Sequence, residues 1–246
     1  MIELFGVGAH TETGAWLFRR VTAGFERGEV TFVMSSDRAA RVGLLDVAAA
    51  ASIATEGRAW ITGAPVMRET RKAIARRVGN VRLDSPPAAR TSVLSAVLPR
   101  DHWGLRRLFT RGRSVIERDV ALATLERVGL GPCALDAVAT LDEWRRRRLA
   151  VARALLPRPD HLICRDVDEG RSLSEAGDVL GVLRALARSE RLPVLVSAVD
   201  WRLAPLYADR VLILSLGTLA FDGPPSLAVR ARQPVEEVEV ELARAS

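Results

Sequence analysis

The short apolar run Val30–Met34 (VTFVM) leads into Ser35-Ser36-Asp37-Arg38-Ala39-Ala40-Arg41-Val42, and an alanine-rich helical pattern follows. A strand-turn-helix unit of this kind opens many α/β nucleotide-binding folds. A loop that cradles phosphate needs Gly-x-x-x-x-Gly-Lys-Ser/Thr. Its glycines reach left-handed conformations, so successive N–H groups point at the anion. No glycine lies inside Ser35–Val42. Forcing Ala40 to positive φ would cost roughly 1–2 kcal/mol. Asp37 places a negative charge where phosphate would sit. Arg41 supplies a positive charge, but as a planar fork rather than a point charge. Val42 has no hydroxyl for Mg²⁺. The plain alternative is an ordinary strand-to-helix turn that binds nothing. Farther along, Asp142 and Glu143 open the run Trp144–Leu156, where acids suit a helix N-terminus. Cys133 and Cys164 lack metal or redox spacing, as in a reduced compartment.

The elements that must hold these residues alternate. Ala15–Phe25, Val30–Met34, Gly57–Thr62, Val78–Leu83, His161–Cys164, Pro193–Ser197, Val211–Leu214 and Leu219–Phe221 read as strands. Arg38–Ala54, Thr70–Arg77, Val115–Val128, Trp144–Leu156 and Glu175–Ala187 read as helices, and Trp201–Tyr207 as a helical turn. The alternation predicts a mostly parallel sheet covered on both faces. Residues 84–148 change to a helical character and predict a subdomain inserted in the 1–225 body. The 226–246 tail ends in an acidic, alternating segment from Gln233, open to a late strand, a partner segment or a frayed end. At 246 residues with 48% hydrophobic residues, the chain can bury a full core. No apolar run reaches membrane-spanning length, and the first residues do not resemble a signal peptide. The net charge of +6 is almost all arginine, Lys72 being the sole lysine. A general arginine bias explains that better than a nucleic-acid partner, which is not expected.

In order and spacing these pieces resemble an ABC (ATP-binding-cassette) ATPase over about residues 1–225. Gly28-Glu29 stands before the first core strand, and Leu44-Leu45 after the phosphate-loop position. Leu149-Ala150-Val151-Ala152-Arg153-Ala154-Leu155 is similar to the helix after the family's signature motif. Tyr207-Ala208-Asp209-Arg210-Val211 and Gly217 follow the switch position. Trp103 to Phe109, Ala123–Leu130 and Phe221-Asp222-Gly223-Pro224-Pro225 are similar to the ATPase subunit of phosphonate importers. The resemblance implies a P-loop NTPase-like α/β core with an inserted helical subdomain.

Carried over position by position, the resemblance places Ser36, Arg41 and Asp166 where the family binds nucleotide. Arg41 takes the place of the lysine and Val42 that of the Mg²⁺-binding hydroxyl. Leu83 takes the glutamine position, Val167 that of the general base, and Val199 that of the switch histidine. A valine cannot accept a proton. Asp166 either orients Mg²⁺ through water or is a structural carboxylate, capping or paired to a nearby arginine. The signature position holds Leu141-Asp142-Glu143-Trp144-Arg145, two acids and an indole in place of an anion-binding surface. Arg146–Arg148 read as a solvated face rather than an anion site.

The expectation is therefore a non-catalytic, pseudo-ATPase subunit of a phosphonate-type or related importer, with no catalytic residue, no metal site and no cofactor. The family's partners would be membrane permease subunits and another ABC ATPase subunit. Its location would be cytoplasmic, peripheral at the inner membrane face through those partners. Trp103 and Phe109 fit either permease docking or subdomain core. One alternative is an unorthodox ATPase using ATP and Mg²⁺ through Arg41 and Asp166. Another is an arginine-rich nucleic-acid-binding module.

Overall fold

A computed structural model describes residues 1–98 and 111–228, with side chains described from residue 117 onward in the second stretch. The chain divides into two compact units, Met1–Asn80 with Asp160–Ser246, and Val81–Pro159.

The first unit holds two sheets. The larger has six strands in the order β10-β9-β3-β8-β7-β6. These are β3 (Val30–Met34), β6 (Val78–Val81), β7 (His161–Cys164), β8 (Val194–Ala198), β9 (Arg210–Ser215) and β10 (Thr218–Gly223). β3 is central and parallel to both β8 and β9, with Val33 opposite Ser197 and Leu212. β3, β7 and β8 are buried along their whole length. That matches their continuous apolar sequences, since a parallel strand covered on both faces needs no polar alternation. β10 turns back antiparallel on β9 through Leu216-Gly217.

The smaller sheet is antiparallel, in the order β2-β1-β4-β5: β1 (Ile2–His10), β2 (Trp16–Phe25), β4 (Glu56–Ile61) and β5 (Ala64–Pro65). β1 is absent from the sequence reading. Gly6 and Gly8 interrupt its alternation, and its register with β2 shifts between Leu4 and Val7. A period-2 pattern is therefore broken in the sequence although the strand is continuous in space.

Helix α1 (Arg38–Ala48) joins the core of both sheets. Ala40, Leu44, Leu45, Val47 and Ala48 share one cluster with Ile2, Leu4, Phe18 and Phe25 of the small sheet and with Val33, Ile163, Leu195 and Leu212 of the large one. The helix stops at Ala48, short of the expected Ala54, because Ala50 takes a left-handed φ of 52°. Ala is a good helix former, but tertiary packing ends the helix earlier than its propensity would. Helix α2 (Arg71–Ala75) is a single turn. Helix α6 (Leu173–Glu190) packs on β3 and β8, its buried residues include Leu180, Leu183 and Ala187, and a Ser172–Glu175 capping box starts it. A 3₁₀ turn (Trp201–Leu203) runs into the one-turn helix α7 (Ala204–Tyr207).

The second unit contains α3 (Val93–Val97), α4 (Arg111–Arg127) and α5 (Glu143–Leu155), which contact one another pairwise. Val93, Val97, Ala121, Leu125, Leu130, Leu149, Val151 and Leu155 are buried within it.

Candidate functional site

The turn between β3 and α1 is a strand-to-helix junction that the helix closes with its own side chain. Asp37 is the N-cap, with φ −78° and ψ 108°. Its carboxylate accepts from the N–H of Ala39 at 2.8 Å and of Ala40 at 3.4 Å. These are donors that a helix N-terminus otherwise offers to an anion. No residue of Ser35–Val42 has positive φ. The turn thus lacks the left-handed residues that a phosphate cradle requires.

Arg41 points back beneath the turn and is 3% exposed. One guanidinium nitrogen donates to the Ser35 carbonyl at 3.1 Å. Its Nε lies 3.4 Å from Asp166 Oδ1, an ion-pair distance without a hydrogen bond. Arg38, on the open side, reaches Asp166 Oδ2 at 2.6 Å and Glu169 at 3.2 Å. The charge of Asp166 above all, and then that of Glu169, raises the Arg38 pKa further. One carboxylate therefore sits between two guanidinium groups.

Asp166 follows the last residues of β7 and takes a φ of +49°. That is uncommon for a non-glycine residue. Ser197 of β8 holds it there: the Asp166 N–H donates to Ser197 Oγ at 2.6 Å, and that hydroxyl donates to Asp166 Oδ1 at 3.2 Å. Val167 is fully buried, its N–H donating to the Ser197 carbonyl. Asp168 Oδ2 accepts from the N–H groups of Val199 and Asp200 at 2.8 and 2.5 Å. Val199 is exposed, and its aliphatic side chain offers no proton-accepting group at that position after β8. Next to Asp166, Arg165 leaves the site and pairs with Asp46 and Asn80. Cys164 is fully buried, and burial pushes its thiol up to about 12, so it carries no thiolate chemistry.

Sequence reasoning placed Ser36, Arg41 and Asp166 together. The structure brings Arg41 against Asp166, and Ser36 is exposed in the same turn. The reading missed Arg38 and Ser197, which position Asp166. Their signal is weak because each lies far from Asp166 in sequence.

The start of α5 in the second unit repeats the first arrangement. Asp142 is the N-cap and accepts from the Arg145 N–H at 3.0 Å, while an Arg145 guanidinium nitrogen reaches its other oxygen at 2.8 Å. Trp144 lies under the guanidinium groups of Arg145 and Arg148, at 4.8 and 4.5 Å from its ring centre. The expected solvated face of Arg146–Arg148 needs correction. Arg146 is exposed, but Arg147 is 5% exposed and pairs with Glu143 at 3.4 Å. Arg148 donates to the Val128 carbonyl at 3.1 Å. Arg147 shares a helical face with Val151 and Ala154, so its stem is buried with them. Leu83 is half-buried in a turn of the same unit. Trp103, Phe109 and the Gln233–Ser246 segment lie outside the described residues.

Among the described residues no group of three or more His, Cys, Asp or Glu could hold a metal ion. Nor is any described helix long and apolar enough to cross a membrane. An open groove of about 430 Å³, lined by Arg27, Glu29, Asp209 and Arg210 among others, lies at the opposite end of β3. Burial raises the Glu29 pKa there, against the opposing charge of Arg210.

No protein-family model matches the chain. Among curated proteins, it is 27% identical over 243 residues to a phosphonates import ATP-binding protein of Trichodesmium erythraeum, covering 97% of this chain and 95% of the relative. A phosphite import ATP-binding protein of Stutzerimonas stutzeri is 28% identical over 87% of this chain and 78% of its own length. In fold, the chain matches cbiO1 of Clostridium perfringens, part of an ABC transporter complex, with a TM-score of 0.80 at 17% identity, over 99% of this chain and 96% of that one. Over nearly its whole length the chain is similar to ABC ATP-binding subunits. Its fold is theirs too: the ABC cassette MJ1267 in its ADP conformation aligns with a TM-score of 0.80 at 14% identity, over 98% of each chain.

In this fold, the place where a P-loop NTPase seats phosphates is the β3–α1 turn. ATP and Mg²⁺ do not fit the residues present. Asp37 fills the N–H groups, Asp166 is already paired on both sides, and no hydroxyl follows Arg41.

Proposed function

We propose that this chain is a non-catalytic ABC subunit, a pseudo-ATPase that serves a structural or regulatory role in an importer of the phosphonate type. The observation that carries the reading is the junction of β3, α1 and β7. Its amides are held by Asp37, and a buried valine follows Asp166 where hydrolysis needs a proton acceptor. The phosphonate assignment rests on the names of the curated relatives. Permease subunits, and a second ABC ATPase subunit, are the partners this reading supplies. Attachment through them would place the chain at the cytoplasmic membrane face.

Titration calorimetry of the purified chain with Mg-ATP tests the non-catalytic reading. No binding heat is expected at millimolar nucleotide, and a micromolar Kd would sink it. Co-purification with the permease subunits tests the assembly role. The rival reading, turnover through Arg41 and Asp166, requires both residues to face a nucleotide, whereas here they face each other.

A further inference from the structure

We propose that the β3–α1 turn is a self-liganded phosphate loop, in which the chain's own carboxylates take the places of phosphate and of the metal-nucleotide bridge. This rests on the non-catalytic reading and extends it, because it says what occupies the pocket instead.

The lock has two parts. The first is Asp37. Its carboxylate takes the N–H groups of Ala39 and Ala40 at the start of an 11-residue helix, and it brings a negative charge to the positive end of that helix. An anion arriving there would find those two donors taken and a like charge in place.

The second part is the Arg38–Asp166–Arg41 set. In a P-loop protein the cation of the loop faces the nucleotide phosphates. Here both cations turn to Asp166 at the end of β7, Arg38 at 2.6 Å and Arg41 at 3.4 Å. The Arg41 guanidinium is buried, and its Nε lacks a hydrogen-bond partner. Glu169, facing Arg38 from beyond β7, supplies further negative charge on the open side. The turn and the end of β7 are thereby joined by an internal ion-pair bridge. Ser197 keeps Asp166 in its left-handed conformation, so the bridge is fixed from a third element, β8.

The experiment uses the full chain and magnesium pyrophosphate as the probe, read by calorimetry and by thermal shift. Wild type is expected to show no binding at millimolar probe. Asp37→Gly frees the two amides and removes the charge, and glycine is tolerated at an N-cap. It is expected to bind at least tenfold more tightly than wild type. Asp37→Asn keeps the cap but removes the charge, and it guards against a folding defect in the glycine variant. It should gain less than Asp37→Gly but still exceed wild type. Adding Asp166→Asn to Asp37→Gly releases the exposed Arg38 toward the anion and, at a temperature where the thermal melt shows the double variant folded, should tighten binding again. Pyrophosphate binding by wild type equal to that of Asp37→Gly would overturn the proposal. So would the absence of a gain in both Asp37 variants, and weaker binding in the double variant would remove the Asp166 half of the lock. Mg-ATP calorimetry on wild type reports the non-catalytic reading separately. A silent wild type with unresponsive variants refutes only the lock.

Discussion

Two helices of this chain, α1 and α5, begin with an aspartate N-cap at positions where related folds offer helix N-termini to anions. The two closures differ in kind. At α5 the acids that close the helix start pair locally: Asp142 takes the Arg145 amide and side chain, and Glu143 pairs with Arg146 and Arg147 one turn on. At α1 the local cap is only the outer layer. Beneath it, Arg38 and Arg41 reach Asp166, and Asp166 is held by Ser197. A local closure repels anions but is easily opened. A closure anchored in the sheet is part of the core, so breaking it should cost fold stability as well as selectivity.

The largest effect should come from the anchored closure. Asp166→Asn leaves the buried Arg41 guanidinium without its counter-charge, and loss of one member of a buried pair costs about 3 kcal/mol or more. Urea unfolding should show a loss of that size, and a loss under about 1 kcal/mol would make the two closures alike. Arg38→Ala should cost far less, because the Arg38 side chain is 60% exposed.

The same strand, β7, provides the next effect. His161 is buried, and burial lowers its pKa from 6.5 to about 4, partly offset by its hydrogen bond to the Ala48 carbonyl. The unfolded chain therefore binds more protons between pH 6.5 and 4. Stability should be fully present above pH 6.5 and fall as pH drops toward 4, by roughly 2–3 kcal/mol. Denaturant midpoints across that window measure the slope, and His161→Gln should flatten it.

Smaller effects belong to the local closures. Asp142→Ala should cost about 1 kcal/mol as an ordinary N-cap loss. A loss near that of Asp166→Asn would show that α5 is anchored as deeply as α1. Asp37→Gly should cost only a few tenths of a kcal/mol. A larger loss by thermal melting would mean that the cap itself holds the buried ion pairs in place.

Much of the fold was legible from local pattern. VTFVM, HLIC and PVLVS are apolar because parallel strands buried on both faces admit no polar alternation, and the structure places strands there. β1 was not legible, since Gly6, Gly8 and a register shift erase its alternation. Nor was the end of α1, where Ala50 adopts a conformation its residue type disfavours. Arg147 read as solvated because its charge outweighed its place on the inward helical face, while its long apolar stem is what the fold buries.

The sequence alone determined the absence of glycines between Ser35 and Val42, the valines at 42, 167 and 199, and the acids that cap α1 and α5. Capping works over two or three residues, so neighbours in the chain suffice to specify it. Tertiary structure alone decided that Asp166 would stand between Arg38 and Arg41, because that depends on the parallel order β3-β8-β7 bringing the end of β7 near the start of α1. An ion pair between residues so far apart in the chain exists only once the sheet has fixed which strand ends are neighbours.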